Sequence, residues 1–302
     1  MAGQGDSTRA IFFALGANFA ITVVKGIAAL VTGSGAMLAE TVHSFADCGN
    51  QGLLLLGLRQ AKSPPSSDYP LGYGKAIYFW AFLVAVMLFS IGGMFSLYEG
   101  IHKLQHPEPI EQWWWAVGVL AASVIAEAVS MRACLVEVAK ARGERSIWRW
   151  FRESRQAELI VIFGEDLAAL FGLVFALVAI LTAVVTGNPA WDAVGTLMIG
   201  MLLIVVAVFV AVEVKAMLIG QSVDPDVATT MNAFLTDRPE VERLYNVITL
   251  QMGNDVMVAV KAKMRTTDGA ASLVAAINST EVALRQRFPE VRWSFFEPDD
   301  QD

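Results

Sequence analysis

Residues Leu159–Thr186 read LIVIFGEDLAALFGLVFALVAILTAVVT. The run exceeds the about 20 apolar residues that carry a helix across a bilayer. Only Glu165 and Asp166 within it are charged. An aspartate at the centre of a membrane helix costs roughly 2.5–3.5 kcal/mol on insertion scales, so such a residue needs a partner or a task. The fold is therefore decided by how many runs of this kind the chain holds, and the function by what the acids meet.

Working outward, five more apolar runs appear: Ile11–Thr32, Ala36–Leu58, Ile77–Ile101, Trp113–Val136 and Trp191–Ile219. The composition agrees, with 55% hydrophobic and 17% charged residues, against about 25% charged in a soluble globular chain. The charges collect in a few loops and in the C-terminal segment. With a net charge of −7 and basic residues confined to membrane-flanking loops, the expected surroundings are lipid and no nucleic acid. The two cysteines, Cys48 and Cys134, both fall inside apolar runs, which gives no disulfide framework. The first run is too long for a cleaved secretory signal and reads as a helix that stays in the membrane.

Lysine and arginine set the orientation. One side of the membrane receives Arg59, Lys62, Lys75, Lys140, Arg142, Arg145, Arg149, Arg152 and Arg155, whereas the other receives Lys103 alone. The N-terminus, both basic loops and the C-terminal segment are thus expected in the cytoplasm. Trp113, Trp114, Trp115 and Trp191 fall at the predicted outer ends, where amphipathic rings favour the headgroup layer.

The last segment reads as a small α+β unit. Asp226–Leu235 fits a helix, and Val241–Met252 and Val256–Arg265 fit two strands joined through Gly253, Asn254 and Asp255. Val256, Val258, Val260, Ala262 and Met264 alternate with Lys261, Lys263 and Arg265, the period of a half-buried strand. Ser272–Phe288 repeats apolar residues at helical spacing, and Val291–Phe296 fits a final edge strand. The expected organisation is a tail over residues 1–10, a transmembrane domain of six helices over 11–222, and a cytoplasmic domain of ferredoxin-like α+β type over 223–302.

The chemistry lies in the ionisable residues of the spans. In the second, Glu40, His43, Asp47 and Asn50 follow at intervals of three, four and three, which keeps them on one helical face. His43 and Asp47, one turn apart, can present a nitrogen and an oxygen to one ion, and Asp166 can add a third ligand. Mixed imidazole and carboxylate ligation suits zinc and similar first-row ions better than calcium or magnesium. Hydrogen-bonded glue between helices is the plainer reading of any single polar residue here. Glu127 and Asn18 fit either interhelical hydrogen bonding or a proton path, with Glu40 beside the ligands. His102 and His106, near Glu99 and Glu108, read as interfacial polar residues or a weak exit-side metal site.

The run from Ser34 through Glu40 and His43 to Asp47, Gly72-Tyr73-Gly74-Lys75 before the third span, and Gly164-Glu165-Asp166 in the fifth resemble the cation diffusion facilitator family of divalent metal/proton antiporters, over nearly the whole chain. The resemblance implies that residues at the positions of His43, Asp47 and Asp166 bind the transported ion at mid-membrane, that the protein is a homodimer with the domain over 223–302 serving dimerisation or regulation, and that Lys75 is a dimer contact. It also implies a regulatory zinc site in the C-terminal domain of many members, but all three histidines here lie before that domain. The common fifth-span motif places His four residues before Asp, and Ile162 stands there instead. The fourth ligand stays open between Glu165, Asn50 and water. Glu165 lies about 100° around the helix from Asp166.

The expected function is export of a divalent transition-metal cation, Zn2+ first and Co2+, Cd2+, Fe2+ or Mn2+ as alternatives, from the cytoplasm in exchange for protons. No permanently bound cofactor and no enzymatic activity are expected, and the expected location is a bacterial inner (cell) membrane, spanned several times. The rivals are an intramembrane metal-dependent hydrolase and a transport-inactive metal sensor. The charge asymmetry makes the first testable statement: single cysteines placed between Arg145 and Arg155 will react with a membrane-impermeant maleimide only from the cytoplasmic side. Labelling from outside alone would reverse the orientation.

Overall fold

The computed structural model describes residues 4–265 and 269–301, with side chains from Asn18 onward. Its helices are α1 (Gln4–Thr32), α2 (Gly35–Ala61), α3 (Ala76–Met87), α4 (Phe95–Gln105), α5 (Trp113–Arg142), α6 (Ile147–Glu153), α7 (Ala157–Thr186) and α8 (Ala190–Ile219), then α9 (Pro225–Thr236) and α10 (Ala270–Arg287) among three strands. A π-helical segment, Leu88–Met94, joins α3 to α4, so that Ala76–Gln105 forms one rod. Six long rods thus coincide with the six apolar runs. Four of them, Ala76–Gln105, α5, α7 and α8, meet the length and apolarity needed to cross a membrane. The apolar stretch described in α1, Asn18–Thr32, is shorter, and α2 carries the polar face.

Side chains that would be hidden in a soluble protein face outward here. Val205, Val208, Phe209 and Val212 of α8 are exposed, as are Ile125 and Val129 of α5. Apolar outer faces with polar groups turned inward are what a hydrocarbon solvent selects. The buried interior of the bundle divides in two. One cluster, with Tyr78, Trp150, Ile160, Val214 and Met217, lies toward the basic loops. The other, with Met37, Leu120, Leu173, Ile199 and Leu203, lies toward the opposite end.

The sequence reading differs from the structure in local detail. Helix α1 already runs at Gln4, inside the expected tail, because nothing among those polar residues breaks a helix. The loop expected over Glu137–Glu158 holds the short helix α6, capped by Ser146, whose hydroxyl accepts from the Arg149 amide at 3.2 Å. The third rod is not continuous α-helix. Its π segment lies where Gly93 packs against Ile204 and the Gly200 carbonyl of α8. Further along, Gly100 meets Leu197. Small residues let helix backbones approach closely in membranes, where packing rather than water drives association.

Strands β1 (Val241–Met252), β2 (Asp255–Met264) and β3 (Val291–Pro298) form one sheet with β2 in the centre. β1 pairs antiparallel and β3 parallel to it. Val256, Val258, Val260 and Ala262 are buried as their alternation requires, against Met231 and Leu235 of α9 and Leu284 and Phe288 of α10. The unit touches the bundle at two places. The Tyr78 hydroxyl accepts from the Gly253 amide at 3.0 Å, with Gly74 set against Met252 and Gly253. Arg145 bonds Asp224 at 2.5 Å, and Arg155 donates to the Ser222 carbonyl at 2.7 Å.

The helix seam yields a stability test. A Cβ on Gly200 would stand 2.8 Å from the Leu97 amide and 3.0 Å from the Gly93 carbonyl. Overpacking of this kind costs typically 1–3 kcal/mol. Gly200→Val is therefore expected to lower the thermal midpoint of the detergent-solubilised protein by several degrees. Gly118→Ala, with no neighbour within 4 Å, should leave it in place. Equal midpoints for the two variants would contradict the seam.

Candidate metal site

Helix α2 carries the site, and its start is held from outside. Thr32 ends α1 and Gly35 begins α2, so the first-turn amides need acceptors. Ser34 supplies one, its hydroxyl accepting from Met37 N at 3.2 Å. Asp192, buried in the first turn of α8, supplies the others. It accepts from Ser34 Oγ at 2.6 Å, Gly35 N at 2.7 Å and Ala36 N at 3.4 Å. The carboxylate thus sits at the N-termini of both α2 and α8, where helix dipoles favour negative charge. Lys103 donates to the Gly33 carbonyl at 2.8 Å and pairs with Glu108 at 3.0 Å, which ties the same turn to α4. The pairing holds the exposed Glu108 carboxyl below its ordinary range through the Lys103 hydrogen bond and charge.

One face of α2 then carries Glu40, His43, Asp47 and Asn50. Glu40, His43 and Asn50 are fully buried, and the Asp47 side chain is 17% exposed. His43 Nδ1 lies 3.6 Å from Asp47 Oδ1, too far for a hydrogen bond. Asn50 donates from Nδ2 to Glu165 Oε1 at 2.6 Å. Glu40 pairs through Oε2 with Lys25 of α1 at 3.3 Å, and Lys25 also donates to Ser44 at 2.8 Å. Among the described residues, Glu40 Oε1, both ring nitrogens of His43, Asp47 Oδ1 and Asn50 Oδ1 are buried without a hydrogen-bond partner. Each such atom costs about 1–3 kcal/mol, and buried polar atoms are ordinarily satisfied.

The two acids of α7 diverge. Glu165 turns toward α2 and meets Asn50. Asp166 turns toward α5 and accepts from Ser130 Oγ at 3.3 Å. His43 and Asp47 are therefore brought together, and Asn50 with Glu165, but Asp166 is not gathered with them. Among the described residues no group of three or more His, Cys, Asp or Glu side chains stands close enough to hold a metal ion. Glu127 is half-buried on α5, and Asn18 offers its carbonyl to Thr22 at 2.8 Å. Lys75 precedes α3 without a side-chain cap bond, its ammonium 3.6 Å from where a Cβ on Gly220 would be. The rings of His102 and His106 lie tilted at 55° to each other, centroids 5.3 Å apart, at an exposed helix end.

The family pattern of the cation efflux transmembrane domain matches residues 11–219. The chain belongs to the cation efflux family. That membership places it among transporters rather than enzymes and sets the hydrolase aside. The chain is similar to the human mitochondrial proton-coupled zinc antiporter SLC30A9, at 33% identity over 232 residues, or 76% of this chain and 41% of that protein. It is 30% identical to metal tolerance protein C4 of Arabidopsis thaliana over 80% of its own length and 53% of the relative's. To the magnetosome protein MamB of Magnetospirillum gryphiswaldense it is 24% identical, over 84% and 80%. The chain thus spans about half or less of the first two relatives.

Lys25, Ser44 and Asp192 belong to this site although no ligand pattern marks them. A lysine amid the apolar residues of the first span and an aspartate at the start of the sixth were the available signals, since neither can stand in lipid alone. Asp192→Ala is expected to leave the α2 amides and the Ser34 hydroxyl without acceptors, at about 1–3 kcal/mol. A fall of several degrees in thermal midpoint is the readout, with Asp192→Asn losing less. An unchanged midpoint in the alanine variant would mean that α2 does not need the clasp.

Proposed function

We propose that this chain carries a divalent transition-metal ion, zinc first among them, out of the cytoplasm in exchange for protons. The observation that carries the reading is the His43–Asp47 pair. Two ligands at about 2.1 Å in a tetrahedral zinc site lie about 3.4 Å apart, and these two atoms stand 3.6 Å apart with no other partner. Their mixed nitrogen and oxygen chemistry favours zinc over magnesium or calcium. The name of the human relative, a proton-coupled zinc antiporter, points the same way.

Asp166 and Glu165 complete the shell in this reading. Because α7 turns Glu165 toward α2 and Asp166 toward α5, bringing Asp166 to α2 in place of Glu165 takes a rotation of α7 by about 100°. Alternation of this kind gives the ion different ligand sets on the two sides of the membrane. Metal ligands must be deprotonated to bind, so each ion bound releases protons and each proton bound expels the ion. Asn50 sits where it can orient Glu165 or join the ion, while Glu127 of α5 and Asn18 of α1 are assigned to the proton path or to support of the ligands. The C-terminal α+β unit is assigned to the cytoplasm with the basic loops. It pairs with a second copy there, with Lys75 near the contact and without an ion-pair partner among the described residues of its own chain.

Flux into proteoliposomes under a pH gradient tests the reading. Wild-type protein should show saturable zinc uptake. Asp47→Ala and Asp166→Ala should lose it by 100-fold or more, since ligands are removed, whereas changes at groups that orient ligands cost about 10–100-fold. His43→Ala should lose zinc preference or activity, and Glu165→Gln should fall between. Near wild-type flux in Asp47→Ala would remove the site, and zinc binding without flux in the wild type would favour the sensor.

A further inference from the structure

Lys25 and Glu40 form a buried ion pair one helical turn from His43. Neither side chain has measurable exposure. The Lys25 ammonium meets Glu40 Oε2 at 3.3 Å and Ser44 Oγ at 2.8 Å. The second carboxylate oxygen, Oε1, is buried without a partner. Its room is made by Gly172 of α7, where any Cβ would collide with it. Glu40 is thus a carboxylate on the same helical face as His43 and Asp47, with one oxygen free and the other held by a lysine.

A lone buried pair of this kind is a poor device for stability, because desolvating two charges offsets most of their attraction. It has a clearer use beside a cation path. A carboxylate one turn from two ligands is itself a ligand unless something else holds its charge. An added oxygen would also change the ion the site prefers, since manganese, magnesium and calcium favour oxygen-rich shells and zinc accepts four mixed ligands. Among the described residues Lys25 makes its hydrogen bonds to Glu40 and Ser44.

We propose that Lys25 is a specificity-determining residue, an internal ammonium that occupies Glu40 and keeps this carboxylate out of the coordination shell of the transported ion. The inference rests on the transport reading above and adds to it the reason that the shell stays nitrogen-bearing and small. Lys25 touches no cargo itself. It acts through Glu40, and the tether at Ser44 fixes the ammonium at the right height.

The test compares zinc and manganese on the full-length protein, by calorimetry of each metal alone in detergent and by flux in proteoliposomes. Lys25→Met, close in size and without charge, releases Glu40. The manganese-to-zinc ratio of affinities should rise about tenfold or more. The double variant Lys25→Met/Glu40→Gln removes both members of the pair and should return the ratio to wild type. Should Lys25→Met not fold, Lys25→Gln gives a neutral side chain that can still bond Ser44, and the same rise is expected. A ratio unchanged in the folded single variant, or a rise that persists in the double variant, overturns the proposal. A wild type that binds zinc without moving it defeats the transport reading alone, because the binding ratios still report on Lys25.

Discussion

The carboxylate of Asp192, seated at the first turns of α2 and α8, is the contact on which the site helix depends. α2 begins after a two-residue break and bears polar groups along its buried face, so part of its first turn and that face take their partners from other helices. Asp192 takes up the hydroxyl of Ser34 and the amides of Gly35 and Ala36 at one end. Farther along, Lys25 of α1 holds Ser44 and Glu40, and Glu165 of α7 holds Asn50. The helix is fixed at three heights by three neighbours. That anchoring sets the depth of His43, which lies within the second anchor, and of Asp47, which lies between the second and the third.

The same bonds show why a polar face in a membrane is not merely glue. An interhelical hydrogen bond in lipid contributes about 0.6–2 kcal/mol, and a buried acceptor left alone costs about as much or more. On α2 several acceptors stay alone beside others that are paired. A face evolved for cohesion would have closed those gaps with apolar side chains. This one gives up some stability and keeps a line of free nitrogen and oxygen atoms across the middle of the bundle, between its two apolar clusters.

The sequence disclosed these features unevenly, for physical reasons. The rods were legible because lipid tolerates only long apolar helices, and the α2 face because 3.6-residue periodicity brings Glu40, His43, Asp47 and Asn50 into line. Strand β2 announced itself by alternation, and its burial follows the same residues. The π segment was hidden because Leu88–Met94 has the composition of any span, and what distinguishes it is the close fit of Gly93 on α8. The partners of Glu165 and Asp166 were equally hidden. Adjacent acids on a helix must point apart, but only the neighbours α2 and α5 decide which partner each meets. Asp192 gave no sign of its three bonds, since a cap taken from another helix leaves no local pattern.

The contact of Gly74 with the β1–β2 turn has a mechanical consequence. Backbone meets backbone there, with no flexible side chain between Gly74 and Met252 or Gly253, and the Tyr78 hydroxyl grips the Gly253 amide at 3.0 Å. The joint has no compliance of its own. A tilt of the sheet would bear on Gly74 and Tyr78 at the start of α3 and, at the second contact, on Arg145 and Arg155.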